Sequence, residues 1–395
     1  MKVLEGIKVL ELGRVPPAEL PGMMLADMGA DVLKIDTPAA AGQSDAARSE
    51  AFSHTNRNKR SMALNLKAPE GHAIFLELAE NADIVIEGFR PGVMKRLGAD
   101  YESLRQRNPR LIFCSLSGFG QTGLYRDRPA HDLNFLALSG ALSLWGAGSQ
   151  APDIPLNLVA DYGGASMHGA LAILMALFAR ERSGAGQYLD ISYFESTVAL
   201  LAATPNLRQV FSARHMPAAG EGVFCGGYPY YALYPTRDKQ FLSVACSEPH
   251  LWRNFCEAID RPSLAAHSRK SEHYLRGPDA AESAARREVG NVILGRDCGY
   301  WEGYFAKLDV CIAPVKSIAQ MLDDPHLRER GMFTSIAHPL HGEIPQFASA
   351  LRLSETPAGV TRPAPATGEH TREVLASLGK SGRNISGLAA RGVVG

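Results

Sequence analysis

Strand-like and helix-like segments alternate along the first 200 residues, and this alternation constrains the fold more than any other feature. The segments "IKVLEL", "ADVLKI", "DIVIEGF" and "RLIFCSLS" are typical of short apolar strands, and "AELPGMMLADMG", "GHAIFLELAENA" and "YESLRQRN" are typical of helices between them. Repeated β-α-β units need crossover connections, which make the strands parallel and cover the sheet with helices. We therefore predict an α/β fold, with a Rossmann-like parallel sheet in a large domain.

Changes in hydrophobic pattern and in glycine and proline content divide the rest of the chain into further parts. From Tyr162 a long apolar helix is predicted, followed by the strand "QYLDISYF" and the helix "ESTVALLAA". Residues 1–200 then form the N-terminal part of the large domain, and the Gly- and Pro-rich residues 201–228 form a linker. We expect a small α+β domain over 229–320, with a hairpin that turns at 236–239. Residues 321–395 are expected to return and complete the large domain.

Charge and cysteine usage exclude several classes of function. The 41 basic residues balance the 41 acidic ones, so no overall field attracts nucleic acid or an acidic membrane surface. The 6 cysteines have no C-x-x-C pair or zinc-like spacing, which indicates reduced thiols and a cytoplasmic location. The N-terminal segment lacks the pattern of a signal peptide. The apolar run "ALAILMALFA" has about half of the roughly 20 residues that span a membrane.

The segment "GFGQTG" after the fourth predicted strand matches the G-x-G-x-x-G pattern of dinucleotide-binding turns. That turn needs a helix that begins within the glycines, so that its N–H groups face a pyrophosphate. Here the glycines lead into the polar segment "LYRDRPAHD", and no acidic residue follows at the expected distance. We therefore predict a glycine-rich loop at the carboxyl end of a strand.

Loops at the carboxyl ends of parallel strands are where open α/β sheets bind ligands, and this loop ends in His131 and Asp132. Some thirty residues later, Asp161 precedes two glycines at the head of the most apolar predicted helix. Taken singly, an aspartate there is a helix cap and a histidine is a packed or surface group. A catalytic hypothesis therefore depends on the His131 and Asp161 pair.

Segments along nearly the whole chain resemble the family III CoA-transferase/α-methylacyl-CoA racemase superfamily. They include "MMLADMGADVLKIDTP", "NRNKRSMALNLK", "DIVIEGFRPGVMKRLG", "NPRLIFCSLSGFGQTG", "PLNLVADYGGASM" and "GEHTREVLASLG". The segment "AHDLNFLALSGALSL" resembles the racemase branch, although Ala130 stands where racemases usually have glycine. In "SEPHLW", Glu248 matches the acidic residue that supports the catalytic histidine of racemases.

This resemblance implies racemization or epimerization at the α-carbon of a 2-methylacyl-CoA thioester. His131 and Asp161 would stand on opposite faces of that carbon, each acting as acid or base according to direction. Glu248 would orient His131 and favour its protonated form, and Asp132 would hold the loop or the histidine. The enolate oxygen needs preorganised donors, and we expect the N–H groups of residues 163–164 at the helix start to supply them.

The resemblance also implies a groove for CoA, whose phosphates need local cations. The positions that match the family's groove residues are Lys34, Leu66, Lys67, Gly88, Phe89, Arg90 and Arg96. The cluster "RNKR" at 57–60 offers further cations. No metal or redox cofactor is implied beyond the CoA moiety of the substrate. The apolar segment "FLALSGALSLWGAG", which contains Trp145, offers a lining for the acyl group without defining its length.

Two other functions fit the sequence. A family III CoA-transferase would use Asp161 as the nucleophile, and the segment "AAGEGVFCGGYP" would serve as its flexible glycine-rich cover. A CoA-thioester-binding protein without turnover would not need the His131, Asp161 and Glu248 set. The superfamily fold further implies an intertwined homodimer, in which Glu248 of the partner chain meets His131.

Overall fold

The computed structural model describes residues 2–13, 15–38, 52–145 and 152–395. The chain folds into two compact units. Unit 1 comprises Met1–Phe135, Leu156–Thr197 and Pro325–Gly395, and unit 2 comprises Leu136–Pro155 and Val198–Asp324. The domain boundaries after residues 200, 228 and 320 stay a prediction.

Unit 1 is built on a six-stranded parallel sheet, which confirms the predicted α/β class. Its strands are β1 (Lys8–Leu12), β2 (Asp31–Asp36), β3 (Arg60–Ala63), β4 (Ile84–Glu87), β5 (Ile112–Ser117) and β6 (Tyr188–Ser192). They lie in the order β3-β2-β1-β4-β5-β6. The order reverses between β1 and β4, and ligands of open α/β sheets bind at the carboxyl ends of strands beside such a reversal.

Helices connect and follow these strands. Among the described residues, the first seven helices are α1 (Pro16–Asp27), α2 (Pro69–Glu80), α3 (Val93–Arg96), α4 (Tyr101–Arg105), α5 (Asp132–Leu138), α6 (Met167–Ser183) and α7 (Tyr193–Ala202). The later ones are α8 (Pro205–Ala213), α9 (Pro249–Ala258), α10 (Ala280–Ile293), α11 (Cys298–Phe305), α12 (Ile318–Leu322), α13 (Pro325–Glu329), α14 (Thr371–Ser377) and α15 (Gly382–Ala390). A π-helical segment, Leu158–Ser166, leads directly into α6.

The hydrophobic core of unit 1 joins residues from both ends of the chain. Leu10, Val85 and Phe113 of the sheet share one cluster with Leu375 and Val394 near the C-terminus. An isolated antiparallel bridge between Leu64 and Val394 fixes the end of the chain beside β3. Burial of this apolar surface, at about 25 cal/mol per Å², is the main term that stabilises the unit.

A fully buried ion pair lies beside the sheet. The Lys59 ammonium donates to both carboxylate oxygens of Glu11 on β1, at 2.6 and 2.8 Å, and also to the Glu19 carbonyl oxygen at 2.9 Å. Burial raises the pKa of Glu11 to about 7, although the Lys59 charge opposes the shift. A Cβ on Gly22 of α1 would lie 1.7 Å from Glu11 Oε2, so only glycine leaves room for this carboxylate.

Unit 2 contains an antiparallel sheet of β7 (Tyr231–Pro235), β8 (Phe241–Ala245) and β9 (Ile312–Pro314). Its core is aromatic, with Tyr228, Trp252 and Phe255 fully buried. The β7–β8 hairpin turns where the sequence predicts, and Lys239 in the turn has a φ of 61°. The predicted hairpin is therefore confirmed.

The structure differs from the sequence predictions in three local features. The predicted linker 201–228 contains helix α8, whose N-cap Thr204 side chain accepts the N–H of Leu207. The return segment contains an unpredicted antiparallel hairpin, β10 (Phe333–His338) and β11 (Gly342–Phe347). The helix predicted from Tyr162 begins earlier, at Leu158, because π-helical turns precede α6.

The helical stretch Leu158–Ser183 is long and apolar enough to cross a membrane by length and composition. It extends beyond the short apolar run that the sequence analysis considered, and 44% of its most apolar window is buried within the protein. Partial burial of this kind is also found in core helices, so the stretch is weak evidence for a membrane span.

We expect Lys59→Met to lower the free energy of unfolding by roughly 3–5 kcal/mol, because it leaves the Glu11 carboxylate buried without its cation. The raised pKa of Glu11 means that the folded protein holds this proton more tightly than the unfolded chain does. The loss should therefore be larger at pH 8 than at pH 5.5, where Glu11 takes up a proton. Urea denaturation at the two pH values measures the effect.

The double variant Glu11→Leu/Lys59→Met is the control, since it removes both charges and should recover most of the lost stability. A single variant as stable as the original protein at pH 8 would contradict this assignment.

Candidate active site

A cavity of about 700 Å³ opens at the carboxyl ends of β4 and β5, and all its lining residues belong to unit 1. The loop after β5 and the π-helical segment contribute His131 and Asp161, two of the predicted catalytic residues. The loop "GFGQTG" starts no helix, and Gly120 and Gly123 have φ values of 82° and 85°. The prediction that it is a glycine-rich loop is confirmed.

His131 is held by its backbone at the start of α5. Its carbonyl oxygen accepts the N–H groups of Asn134 at 2.8 Å and Phe135 at 3.2 Å, and its N–H donates to Asn134 Oδ1 at 3.1 Å. The histidine is exposed overall and lines the cavity. These bonds fix the point from which the imidazole extends, while its side chain remains accessible to a ligand.

Asp132 does not line the cavity. Its buried carboxylate accepts the N–H groups of Ala160 at 3.1 Å and Asp161 at 2.9 Å. Burial raises the pKa of Asp132, and these two hydrogen bonds oppose the shift. The carboxylate therefore joins the loop that carries His131 to the helix that carries Asp161, and it satisfies N–H groups that lack helical partners.

Asp161 lies in the first turn of the π-helical segment, and its Oδ2 accepts a hydrogen bond from Asn157 Nδ2 at 3.2 Å. Burial raises its pKa from 3.8 to about 6, with a contribution from the Asp132 charge, while Asn157 and His131 lower it. A carboxyl group that titrates near neutrality can both give and take a proton under physiological conditions. π-helical turns of this kind are frequent at functional sites.

The predicted enolate donors are wrong. Gly163 and Gly164 lie inside the π-helical segment rather than at a free helix start. In a π-helix each N–H bonds the carbonyl five residues earlier, so both groups are turned into the helix. The cavity must supply other donors for a developing oxyanion.

A second cavity, of about 800 Å³, shares the lining residues Phe89 and Arg96 with the first, so the two are adjacent, and together they are called the groove. Leu66 and Lys67, both predicted for CoA, line this second part. Gly88 and Arg90 line the first part.

The geometry of Gly88 explains why a glycine stands there. A Cβ on Gly88 would lie 2.7 Å from the Cβ of Ala18, so only glycine allows α1 to approach β4 this closely.

Three cations along this groove are exposed. Lys67, Arg90 and Arg96 form no salt bridge with any residue that the structure describes. Arginine binds phosphate through a planar fork of donors, and lysine binds it as a point charge. The groove therefore has the free positive charge that a phosphate-bearing ligand requires.

Comparison with known proteins identifies the family. The sequence matches the family described as "CoA-transferase family III" over residues 4–371. The chain belongs to this family.

Relatives in the family have two activities. The "Alpha-methylacyl-CoA racemase" of Mus musculus is 35% identical over 393 residues, which cover 99% of this chain and 97% of the relative. The "Succinate--glutarate CoA-transferase" of Agrobacterium fabrum is 34% identical over 397 residues, covering 95% of each chain. The crystal structure of a CAIB/BAIF family protein from Brucella suis has a TM-score of 0.79 at 26% identity, over 95% of this chain and 99% of that one.

Several cations that the family III resemblance suggested for CoA are engaged inside the protein. Lys34 lines neither cavity and pairs with Glu19 at 2.9 Å. In the "RNKR" cluster, Arg57 is buried against Asp27 at 2.7 Å, and Lys59 is buried against Glu11. The prediction that the cluster holds CoA phosphates is wrong for Arg57 and Lys59, because buried paired cations cannot also reach a solvent-borne phosphate.

Glu248 belongs to unit 2, where it is the N-cap residue of α9 and accepts a hydrogen bond from the Ser247 hydroxyl at 3.1 Å. Its predicted role beside His131 stays a prediction. Of the predicted apolar lining, Phe135 lines the cavity, Trp145 belongs to unit 2, and residues 146–148 lie outside the described residues.

Sequence reasoning missed several cavity residues, among them Ser117, Arg126 and Arg128. It also missed Asn157, which bonds Asp161. The two arginines stand in the polar segment that follows the glycine loop, and their charge beside a predicted ligand edge was the available signal. No pattern in the sequence singles out the other two. Among the described residues, no group of three or more His, Cys, Asp or Glu could hold a metal ion.

We expect Asp161→Asn to melt at a higher temperature than the original protein at pH 7.5. Because burial raises the pKa of Asp161 from 3.8 to about 6, the ionised carboxylate is costly in the folded state only. That cost is fully present above about pH 6 and disappears below about pH 4, where both states are protonated. Scanning fluorimetry at pH 7.5 and pH 4.5 measures the difference.

Asp153→Asn is the matched control, because it changes an exposed carboxylate before the helix. It should leave the melting temperature unchanged at both pH 7.5 and pH 4.5. An Asp161→Asn variant less stable than the original at pH 7.5 would show that the carboxylate stabilises the fold, contrary to this account.

Proposed function

We propose that the protein racemizes or epimerizes the α-carbon of a 2-methylacyl-CoA thioester through an enolate. The observation that carries the proposal is that His131 and Asp161 line one cavity while the pKa of Asp161 is raised to about 6. Inversion at carbon needs one group that removes a proton and a second that delivers one to the opposite face. A histidine and a carboxyl group whose pKa is raised to about 6 can exchange these roles, so the reaction runs in both directions.

The groove supports a CoA thioester as substrate. The part that contains Leu66 and Lys67 would take the nucleotide, and the part that contains His131 and Asp161 would take the acyl end. Arg96, which lines both parts, would face the pyrophosphate or the pantetheine between them. The cations along the groove also favour negative charge on the thioester oxygen as the enolate forms.

A homodimer in which the partner's Glu248 orients His131 remains part of the proposal, because the racemase resemblance assigns Glu248 that role. A carboxylate that accepts the N–H of an imidazole favours its protonated form and fixes its tautomer. We also infer a cytoplasmic location, from the scattered cysteines.

CoA transfer between carboxylic acids is the second candidate. Transferase relatives are nearly as similar to this chain as racemases are, at 34% against 35% identity. An Asp161 carboxylate with a raised pKa is also a better nucleophile, which would attack the thioester and form an aspartyl anhydride and then an aspartyl-CoA thioester. In this reaction the His131 imidazole has no required role.

One experiment in D₂O separates the two reactions. A single enantiomer of a 2-methylacyl-CoA is incubated with the protein, without any acceptor acid, and its α-deuterium content and optical purity are followed by mass spectrometry and chiral chromatography. We expect deuterium at the α-carbon together with loss of optical purity. His131→Ala should abolish interconversion of the enantiomers, because one face of the carbon loses its acid or base.

A parallel incubation with an added dicarboxylic acid is the control. CoA transfer to that acid without α-deuteration, undiminished in His131→Ala, would overturn the racemase and establish the transferase.

A further inference from the structure

Ser117 is a buried hydroxyl in the wall of the catalytic cavity, and neither candidate reaction has so far used it. The residue is the last of β5 and is only 4% exposed. Its Oγ has no hydrogen-bond partner among the residues that the structure describes. A buried hydroxyl without a partner is costly, and in native proteins such a group calls for an explanation such as an absent ligand.

Neighbouring hydroxyls on the same strands are all engaged. Ser115, two residues earlier on the same face of β5, accepts a hydrogen bond from the Tyr188 hydroxyl at 3.0 Å. Ser192, which is paired with Ser117 in the β5–β6 register, accepts the N–H of Glu195 at 3.1 Å. The missing partner is therefore specific to Ser117, a residue that lines the cavity, and it is not a general feature of this sheet edge.

The surroundings of Ser117 suit a carbonyl next to an aliphatic chain. Phe135 and Tyr193 line the same cavity, and their rings stack with centroids 5.5 Å apart. A Cβ on Gly118, the residue after Ser117, would lie 3.2 Å from the Phe135 ring. Ser117 thus lines the cavity together with an aromatic wall, and a hydroxyl next to such a wall can bind one polar atom of an otherwise apolar group.

We propose that the Ser117 hydroxyl donates a hydrogen bond to a carbonyl oxygen of the bound acyl-CoA, in the thioester or in the adjacent pantetheine amide. The inference rests on the proposed function only in that the ligand is an acyl-CoA, since racemase and transferase both bind one. With the N–H groups of Gly163 and Gly164 turned into the π-helix, a neutral side-chain donor at the end of β5 adds to the cations that line the cavity.

The test measures binding without turnover. The probes are 2,2-dimethylacyl-CoA, which keeps the thioester carbonyl but has no α-proton, and an S-alkyl-CoA thioether, which lacks that carbonyl but keeps the amides. We expect Ser117→Ala to weaken binding of 2,2-dimethylacyl-CoA by roughly 3- to 10-fold in calorimetry, the usual effect of one lost hydrogen bond. Unchanged affinity for the thioether would assign the bond to the thioester carbonyl, and an equal loss would assign it to the amide.

Ser115→Ala is the matched control, because it removes a hydroxyl that already has a partner. Ser117→Ala should lose affinity and keep or raise the melting temperature of the free protein, since it removes an unpaired group. Ser115→Ala should lower the melting temperature of the free protein and leave its affinity for 2,2-dimethylacyl-CoA unchanged. Ser117→Cys, which keeps a weak donor of similar size, should lie between Ser117→Ala and the original protein in affinity.

Unchanged affinity of Ser117→Ala and Ser117→Cys for both probes would overturn the proposal. This binding result does not depend on which of the two reactions the protein catalyses. If Ser117→Ala weakens binding but the protein exchanges no α-proton, the racemase proposal is contradicted and the Ser117 inference stands. If the protein racemizes its substrate but Ser117→Ala does not change binding, the racemase proposal stands and the Ser117 inference is contradicted.

Discussion

The carboxylate of Asp132 holds the candidate site together. It accepts the N–H groups of Ala160 and Asp161, residues that follow it by 28 and 29 positions along the chain. Because Asp132 directly follows His131, these two bonds fix the start of the helical segment relative to the loop that carries the imidazole. The spacing of the two proposed acid and base groups therefore depends on one buried side chain that itself touches no ligand cavity. An acid/base pair separated by a substrate carbon requires such support, since small displacements of reacting groups are costly in rate.

The structure also separates two kinds of cation that the sequence presents alike. Arg57 and Lys59 are buried and paired with Asp27 and Glu11, so their charge is used inside unit 1. Lys67 and Arg96 are exposed along the groove and form no salt bridge with a described residue. A cation that is buried against a carboxylate is part of the protein's internal packing, whereas an exposed cation without a salt bridge beside a groove can bind phosphate. Only three-dimensional pairing distinguishes the two.

Much of the sheet could be predicted because its central strands β1, β4 and β5 are short apolar runs, almost entirely buried and bounded by polar turns. The hairpin of β10 and β11 could not, since "FTSIAH" and "GEIPQF" mix small and polar residues and Pro345 interrupts the second strand. The early start of the π-helical segment at Leu158 could not be predicted from the sequence either. It depends on long-range partners, namely Asp132 and a bond from the Ser166 hydroxyl to the Pro17 carbonyl at 2.6 Å.

The candidate site, like the sheet, could be predicted only in part. His131 stands out at the end of a loop after a predicted strand, and Asp161 at the head of a predicted helix, and the family resemblance suggests a role for each. Ser117 and Asn157 carry no such signal, because a serine at a strand end and an asparagine before a helix have common structural uses. Ser117 is singled out by the burial of a hydroxyl without a partner among the described residues, and Asn157 by its hydrogen bond to Asp161.

The central claim is that His131 and Asp161 act on opposite faces of one carbon, and enantiomer-specific exchange in the single variants tests it most directly. Each pure enantiomer of a 2-methylacyl-CoA is incubated in D₂O with His131→Ala or with Asp161→Asn, and α-deuterium is measured by mass spectrometry. Each variant should exchange the proton of one enantiomer only, without inversion, and the two variants should select opposite enantiomers. Selection of the same enantiomer by both variants, or exchange of both enantiomers by either one, would contradict a two-base mechanism.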